Sequence, residues 1–315
     1  MKTNTKTALI IGVNGQDGRL LFEMLTESGY SIIGIGKKTI KTNKNNWAKK
    51  IDIDKQESVF DLIKKTKPDE IYYLAAFLFS AQDKRPDFYN DLKESYQVHV
   101  LSLLNFLEAV RLFSPKTKLF YAASSLMFGD CKTKRQTEAT PFNPNTAYGL
   151  TKMDGTILCR FYREKYKIFT AVGIMYNHES KYRTDNFISM KIIKGAKNIA
   201  SGKQKTLVIG DLYAVVDWGY APDYVRAMTL ILNLKRGDNF IIASGQTHSV
   251  LHLVKIAFTH YGLDYRKYIK ENKSLITKKR NTLVGNAKKL KDASGWKPSV
   301  NFDEMINKII KDLEK

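Results

Sequence analysis

Cysteine is nearly absent from this sequence: Cys131 and Cys159 are the only two among 315 residues. They form no CxxC pair and stand near no group of histidines, so a disulfide framework is excluded and no metal site is expected. Two isolated thiols fit a reducing compartment. Also missing is any apolar run of the ~18–20 residues that a membrane span needs. The opening MKTNTKTALIIG runs straight into a strand pattern, with no apolar signal core before a cleavage site. The expectation is a soluble, cytoplasmic protein with no membrane partner. There are no internal repeats, no low-complexity stretches, and no linker rich in Pro, Gly or Ser. Acidic residues are scarce as well: 31 against 52 basic ones, a net charge of +21. That surplus is mostly lysine, scattered in pairs along the whole length. Without an Arg-rich block or a basic stripe interleaved with aromatics, no nucleic-acid partner is expected. The basic field suits instead a phosphate-bearing, anionic substrate.

With 43% hydrophobic and 11% aromatic residues, the chain has ample material for a sizeable core. Short β-branched runs near 8–12, 31–35, 70–74, 118–122 and 169–174 alternate with helical stretches near 18–28, 56–65, 89–112 and 146–165. This alternation predicts an α/β fold, a doubly wound parallel sheet of Rossmann type. After Tyr176 the pattern turns irregular over 177–210, then mixes a strand near 240–243 with helices near 249–261 and 302–313. Residues 1–176 are expected to form the dinucleotide-binding domain. Residues 177–315 should form mainly a smaller substrate-binding lobe, with segments near 211–245 returning to the first domain.

Three glycines, Gly12, Gly15 and Gly18, lie in ALIIGVNGQDGRLL, between a predicted strand and a predicted helix. Such a loop gives a tight turn and lets backbone approach a pyrophosphate, which the helix N-terminus then attracts. Gln16 and Asp17 belong to the same loop. The second strand ends in Gly36, Lys37 and Lys38, where an acidic residue would select NAD; the lysines lean locally towards NADP. Asp52 and Ile53 are expected to flank the adenine, and Leu74 and Ala75, ending the next strand, complete the cofactor set. Tyr148 and Lys152 form a YxxxK pair on one helical face. There a lysine cation is expected to lower the phenol's pKa from ~10 and make it a base, so both residues also face the cofactor. Ser124, in AASSLMFG, is expected to hold the reacting oxygen.

These motifs resemble the extended short-chain dehydrogenases, and within them the GDP-mannose 4,6-dehydratase family. The resemblance runs nearly the full length, through TAYGLTKMDG, MYNHESKYRTDNFISMKI, IGDLYAVVDWGYAPDYVRAM, IIASGQTHSV and WKPSVNFDE. It implies a GDP-activated, manno-configured sugar, a Rossmann domain with a small lobe, and a homodimer or homotetramer. Carried over by position, Asn177 contacts the sugar diphosphate, Asn186, Ser189 and Lys191 line the nucleotide pocket, and Arg280 reaches the phosphates. Ser125 and Leu126 should face the sugar.

The departures from the family pattern matter most. Where the family reads S-T-S-E-L-Y-G, Ser124 stands at the threonine and Leu126 at the glutamate that removes the C5 proton. Leucine has no lone pair, so the base for elimination is missing, a loss of at least ~10²–10⁴-fold. Extended-strand alternation would put Leu126 on the same face as Ser124. Val216 replaces a basic residue before Asp217, and Phe77, Leu78 and Phe79 stand where more polar residues are usual. The reaction is therefore expected to stop at a 4-keto sugar, as in related GDP-heptose 4-dehydrogenases of surface-polysaccharide biosynthesis. That implies NAD in preference to NADP, and a reduced cofactor that leaves or is reoxidised by a second oxidant. A 4,6-dehydratase, a 4-keto-sugar reductase and a non-catalytic relative are the competing readings.

Overall fold

The computed structural model describes residues 5–36, 46–49, 51–78, 87–272, 274 and 282–315. Lys37, Lys38, Phe79 and Arg280 lie outside them. The first half alternates strand and helix: β1 (Thr7–Ile11), α1 (Gln16–Glu27), β2 (Ser31–Ile35), β3 (Asn46–Lys49), α2 (Gln56–Thr66), β4 (Glu70–Tyr73), α3 (Phe88–Tyr96), α4 (Ser102–Phe113), β5 (Lys118–Ser124), α5 (Ala147–Tyr166) and β6 (Thr170–Met175). Then come β7 (Asn177–Glu179), α6 (Ile188–Ala200), β8 (Leu207–Ile209), β9 (Val215–Tyr220), α7 (Ala221–Leu232), β10 (Asn239–Ile242), β11 (Thr247–Ser249), α8 (Val250–His260), β12 (Ile269–Glu271), α9 (Lys288–Ser294) and α10 (Phe302–Glu314).

Among the described residues the main sheet has seven strands, in the order β3-β2-β1-β4-β5-β6-β10, and every pairing is parallel. This is the doubly wound α/β fold that the alternation predicts. Both faces of the sheet are covered, which is why its strands read as continuous apolar runs. Leu9 and Ile11 of β1 pack towards α2, α4 and α5, while Ala8 and Ile10 pack towards α1 and α7. Each buried leucine or isoleucine contributes on the order of 2 kcal/mol. A separate core joins α6, α8 and α10 through Ile192, Leu253, Ile306 and their neighbours. The order of strands reverses between β1 and β4, and at such a switch point the carboxyl ends of the strands leave a crevice for ligands.

Two sequence expectations are corrected. The stretch 177–210 is not irregular: it holds α6, a 13-residue helix whose Ile192, Ile193, Ala196 and Ile199 are buried. The single helix expected over 89–112 is two, joined by a π-helical turn over Gln97–Leu101. No helix among the described residues is long and apolar enough to cross a membrane.

Candidate active site

The crevice is built first by the glycine loop. The chain leaves β1 through Gly12, whose φ of +95° strains any side-chain-bearing residue and whose added Cβ would come within 2.9 Å of the Ala75 amide nitrogen. Gly12 and Val13 both donate to the Ile35 carbonyl, at 2.8 and 3.1 Å, which fastens the loop across the ends of β1 and β2. Leu74 donates to the Ile11 carbonyl at 2.9 Å, so the segment after β4 closes the other side. Gly15 caps α1 with no side chain, and Gly18 is buried in its first turn. A diphosphate fits this bare helix N-terminus, where unpaired N–H groups and the helix dipole favour negative charge. Asp52 is exposed and Ile53 half-buried just beyond β3, the Ile53 carbonyl accepting from Asn105 at 3.1 Å.

Gln16 and Asp17, expected to bind cofactor, direct their side chains elsewhere. Gln16 donates to the His178 carbonyl at 3.0 Å and accepts from Ser180 at 3.0 Å. Asp17 meets His178 Nε2 at 2.9 Å. The other ring nitrogen of His178 faces the Tyr176 carbonyl at 2.7 Å. Two acceptors require two ring protons, so this imidazole is a cation, stacked on Tyr224 at 4.5 Å. Burial opposes that charge, but Asp17 outweighs it and holds the His178 pKa above its ordinary value. Asp17 stays below the usual carboxylate range despite its own burial, chiefly through His178. The physical reason for the departure is charge: an unpaired carboxylate in the first turn of α1 would repel a phosphate, and His178 cancels it.

The candidate reacting groups come from β5 and α5. Ser124 ends β5 and its Oγ accepts from the Leu126 amide at 3.2 Å, which leaves the hydroxyl proton to be donated elsewhere. Leu126 does not continue the strand: Ser125–Met127 form a 3₁₀ turn, so strand alternation does not set its direction. Ser125 is buried at the start of that turn. Thr146 caps α5 by accepting from the Gly149 amide at 3.0 Å. A Cβ on Gly149 would lie 2.4 Å from the Leu126 carbonyl oxygen, so glycine is what lets the first turn of α5, with Tyr148, press against the Ser124–Leu126 segment.

One turn further on, Lys152 is wholly buried. Its Nζ donates to the Ala122 carbonyl at 2.7 Å and lies 5.7 Å from the Tyr148 ring centre. Burial pulls the Lys152 pKa down to about 7. Burial likewise pushes the Tyr148 phenol well above 10, with Arg183 lowering it and Asp17 raising it by smaller amounts. The lysine therefore does not ionise the tyrosine in this resting arrangement, contrary to the sequence expectation, because desolvation dominates both groups. No hydrogen bond joins the two groups among the described residues, so a coupling between them would have to form with an alcohol bound. So coupled, the pair would carry one proton above about pH 7, shared with a tyrosinate–ammonium tautomer; below it, both groups would be protonated and no base would remain. The expected result is a kcat/KM for alcohol oxidation that falls about tenfold per pH unit below an inflection near 7. A rate profile flat from pH 5 to 9 would dismiss the shared-proton account.

The sugar-side residues are less uniform. Asn177 is exposed at the start of β7, paired in register with Trp218. Asn186 accepts from Thr184 at 2.7 Å. Ser189, expected to line the pocket, is fully buried, with its hydroxyl on Glu179 at 2.6 Å. It positions that carboxylate instead, together with Arg183, whose Nε is 3.4 Å from the same oxygen and whose guanidinium lies 3.5 Å from the Phe187 ring centre. Lys191 is half-buried on α6, and burial lowers its pKa. Asp217 manages without a basic residue at 216: it accepts from Ser244, Gly245 and Gly285 amides and from the Ser244 hydroxyl. Sequence reasoning missed His178, Arg183 and His99. Of these, His99 packs edge-on against Tyr148 with ring centres 5.1 Å apart, and a lone buried histidine in an apolar helix was its only signal.

A doubly wound sheet in this order, with a glycine loop at its switch point and Ser124, Tyr148 and Lys152 beside it, defines an extended short-chain dehydrogenase/reductase. A family model described as GDP-mannose 4,6 dehydratase matches residues 9–309, and the chain belongs to that family. It is 34% identical to GDP-mannose 4,6 dehydratase 2 of Arabidopsis thaliana, over 98% of this chain and 87% of that one. Among solved structures, it is similar to dTDP-glucose 4,6-dehydratase from Bacillus anthracis in complex with NAD, with a TM-score of 0.84, 22% identity, and coverage of 98% and 97% of the two chains. It is similar also to RMD from Pseudomonas aeruginosa complexed with NADPH, with a TM-score of 0.83, 20% identity and 98% coverage of each chain. The expected membership is thus shown. Nothing in these names speaks for a heptose.

Proposed function

We propose that this chain oxidises the C4 hydroxyl of a GDP-activated, manno-configured sugar to a 4-keto sugar and lacks the means to complete the dehydration its relatives are named for. A bound oxidised nicotinamide supplies the hydride acceptor, and of its two forms NAD is our choice. The glycine loop and the first turn of α1 hold the diphosphate. Tyr148, in its phenolate form, takes the C4 hydroxyl proton as hydride leaves C4. Ser124 donates its hydroxyl proton to the same oxygen and steadies its developing charge, while Lys152 stabilises the phenolate.

The observation that carries this reading is Leu126, where the family's elimination base would stand. Two carboxylates of the surrounding network, Asp17 and Glu179, are already committed to His178 and to Ser189 with Arg183. A second reading is the complete 4,6-dehydratase, in which hydride returns to C6 after loss of water. Family membership and the names of the relatives support it more than they support the first. The deciding experiment is mass spectrometry of the product after incubation with GDP-mannose or GDP-heptose and NAD or NADP. Loss of two hydrogens, with stoichiometric reduced cofactor, is the expected result. Loss of water with no net reduction gives the protein to the second reading.

A further inference from the structure

The π-helical turn between α3 and α4 places one extra residue in a helix, and such turns often mark functional positions. Here it carries His99, which is wholly buried. Two of the turn's carbonyls are taken by phenols rising from the sheet: Val98 accepts from Tyr73 at 2.6 Å and His99 from Tyr121 at 3.2 Å. The turn is thereby pinned over the ends of β4 and β5. The imidazole spans two further elements. Its Nε2 accepts from the Phe77 amide at 3.0 Å, so that nitrogen carries no proton. Nδ1 must then hold the ring proton and donate it to Thr151 at 2.8 Å. The Thr151 hydroxyl passes its own proton to the Ala147 carbonyl at 3.0 Å or that of Tyr148 at 3.2 Å. Burial and the nearby Lys152 keep the ring neutral, far below the ordinary histidine pKa. Every hydrogen bond in this chain runs one way, from the loop after β4 to the first turn of α5.

The loop at its start is the same one whose Ala75 amide abuts Gly12 in the glycine cradle. The helix at its end carries Tyr148, whose ring meets the edge of His99 at an interplanar angle of 88°. We infer that His99 is a positioning residue, a neutral wedge that sets the distance and angle between the cofactor cradle and the reacting phenol. The inference rests on Tyr148 being the base. Oriented reactions are steep in geometry, a misplacement of about 1 Å costing as much as ~10²-fold, so the effect belongs in kcat and not in sugar affinity.

The test uses the full chain with GDP-mannose and NAD, and three variants. His99→Leu should lower kcat about tenfold or more with KM for the sugar nucleotide unchanged. His99→Gln, whose amide oxygen reaches towards the Phe77 amide, should recover most of that loss. Thr151→Val keeps the shape of the helix but removes the acceptor for Nδ1–H, and should lower kcat several-fold, again with KM unchanged. Hydrogen exchange adds a readout independent of turnover: the peptide containing Phe77 should exchange faster in His99→Leu than in wild type or His99→Gln. The inference is overturned if His99→Leu keeps wild-type kcat, if His99→Gln is as impaired as His99→Leu, or if only KM moves. Should His99→Leu fail to fold, Thr151→Val with full kcat overturns it alone. A Tyr148→Phe control separates the two claims: activity lost there but kept in His99→Leu sinks the wedge and spares the base, whereas activity kept in Tyr148→Phe removes the base itself.

Discussion

Replacing Tyr148 by phenylalanine should lower turnover by two or more orders of magnitude while leaving the fold as it is. The size follows from losing a positioned base: a ~10²-fold fall corresponds to ~2.7 kcal/mol of barrier, within the usual range for such groups. The selectivity follows from the structure. Among the described residues the Tyr148 phenol makes no hydrogen bond, so removing its oxygen breaks none of them. The ring itself, with its edge contact to His99, stays in place. The variant should therefore melt no lower than the wild type, since a poorly solvated hydroxyl without a partner costs folding free energy and does not supply it. The inflection near pH 7 should vanish too, since it belongs to the tyrosine–lysine pair. Steady-state rates and a melting curve check both halves, and near-wild-type turnover would remove Tyr148 from the chemistry.

The second large effect concerns what happens after oxidation. A 4-keto sugar has an acidified C5–H, and one well-placed base separates a dehydrogenase from a dehydratase. In heavy water the wild-type protein should yield a 4-keto product with little deuterium at C5 and no 6-deoxy sugar. Leu126→Glu should introduce exchange at C5. The 3₁₀ turn does not remove the residue from the site: its amide is bonded to Ser124 Oγ, and its carbonyl is pressed against Gly149, next to Tyr148. Leu126 is also partly exposed, so a carboxylate there escapes the full cost of burial. Mass spectrometry and proton NMR of the product read the outcome. A 6-deoxy-4-keto sugar from the wild type would show that another group supplies the base, and the dehydratase reading would replace ours.

Much of this was legible in the sequence because it is local. The strand–glycine–helix order around Gly12 and the i, i+4 spacing of Tyr148 and Lys152 are set within a few residues, and the central sheet runs are largely apolar. α6 was missed: Ile188, Ile192 and Ile199 stand at helical spacing, but their glycine and lysine neighbours hid the pattern. Other features had no local signal. The partner of Asp17 lies 161 residues away, and the chain does not announce which histidine will be buried opposite it. Ser189 looks like any polar residue at the start of a helix until packing turns it onto Glu179. The π turn at Gln97–Leu101 inserts no glycine or proline; phenols from two strands define it, and those meet it only in the fold. The protonation of Lys152 is likewise a property of depth, which spacing does not encode.

The Asp17–His178 ion pair has a consequence for how the two ligands sense one another. Asp17 stands in the first turn of the helix that would hold the cofactor's diphosphate, and His178 follows Asn177 on the strand that would meet the sugar's. With His178 buried and Asp17 only partly exposed, separating them leaves a poorly solvated charge without its partner, so the pair ties the two segments together. A ligand that held one segment would then also hold the other. Any such coupling would be reciprocal by linkage: a dinucleotide that tightened the binding of a sugar nucleotide would itself be tightened by the same factor.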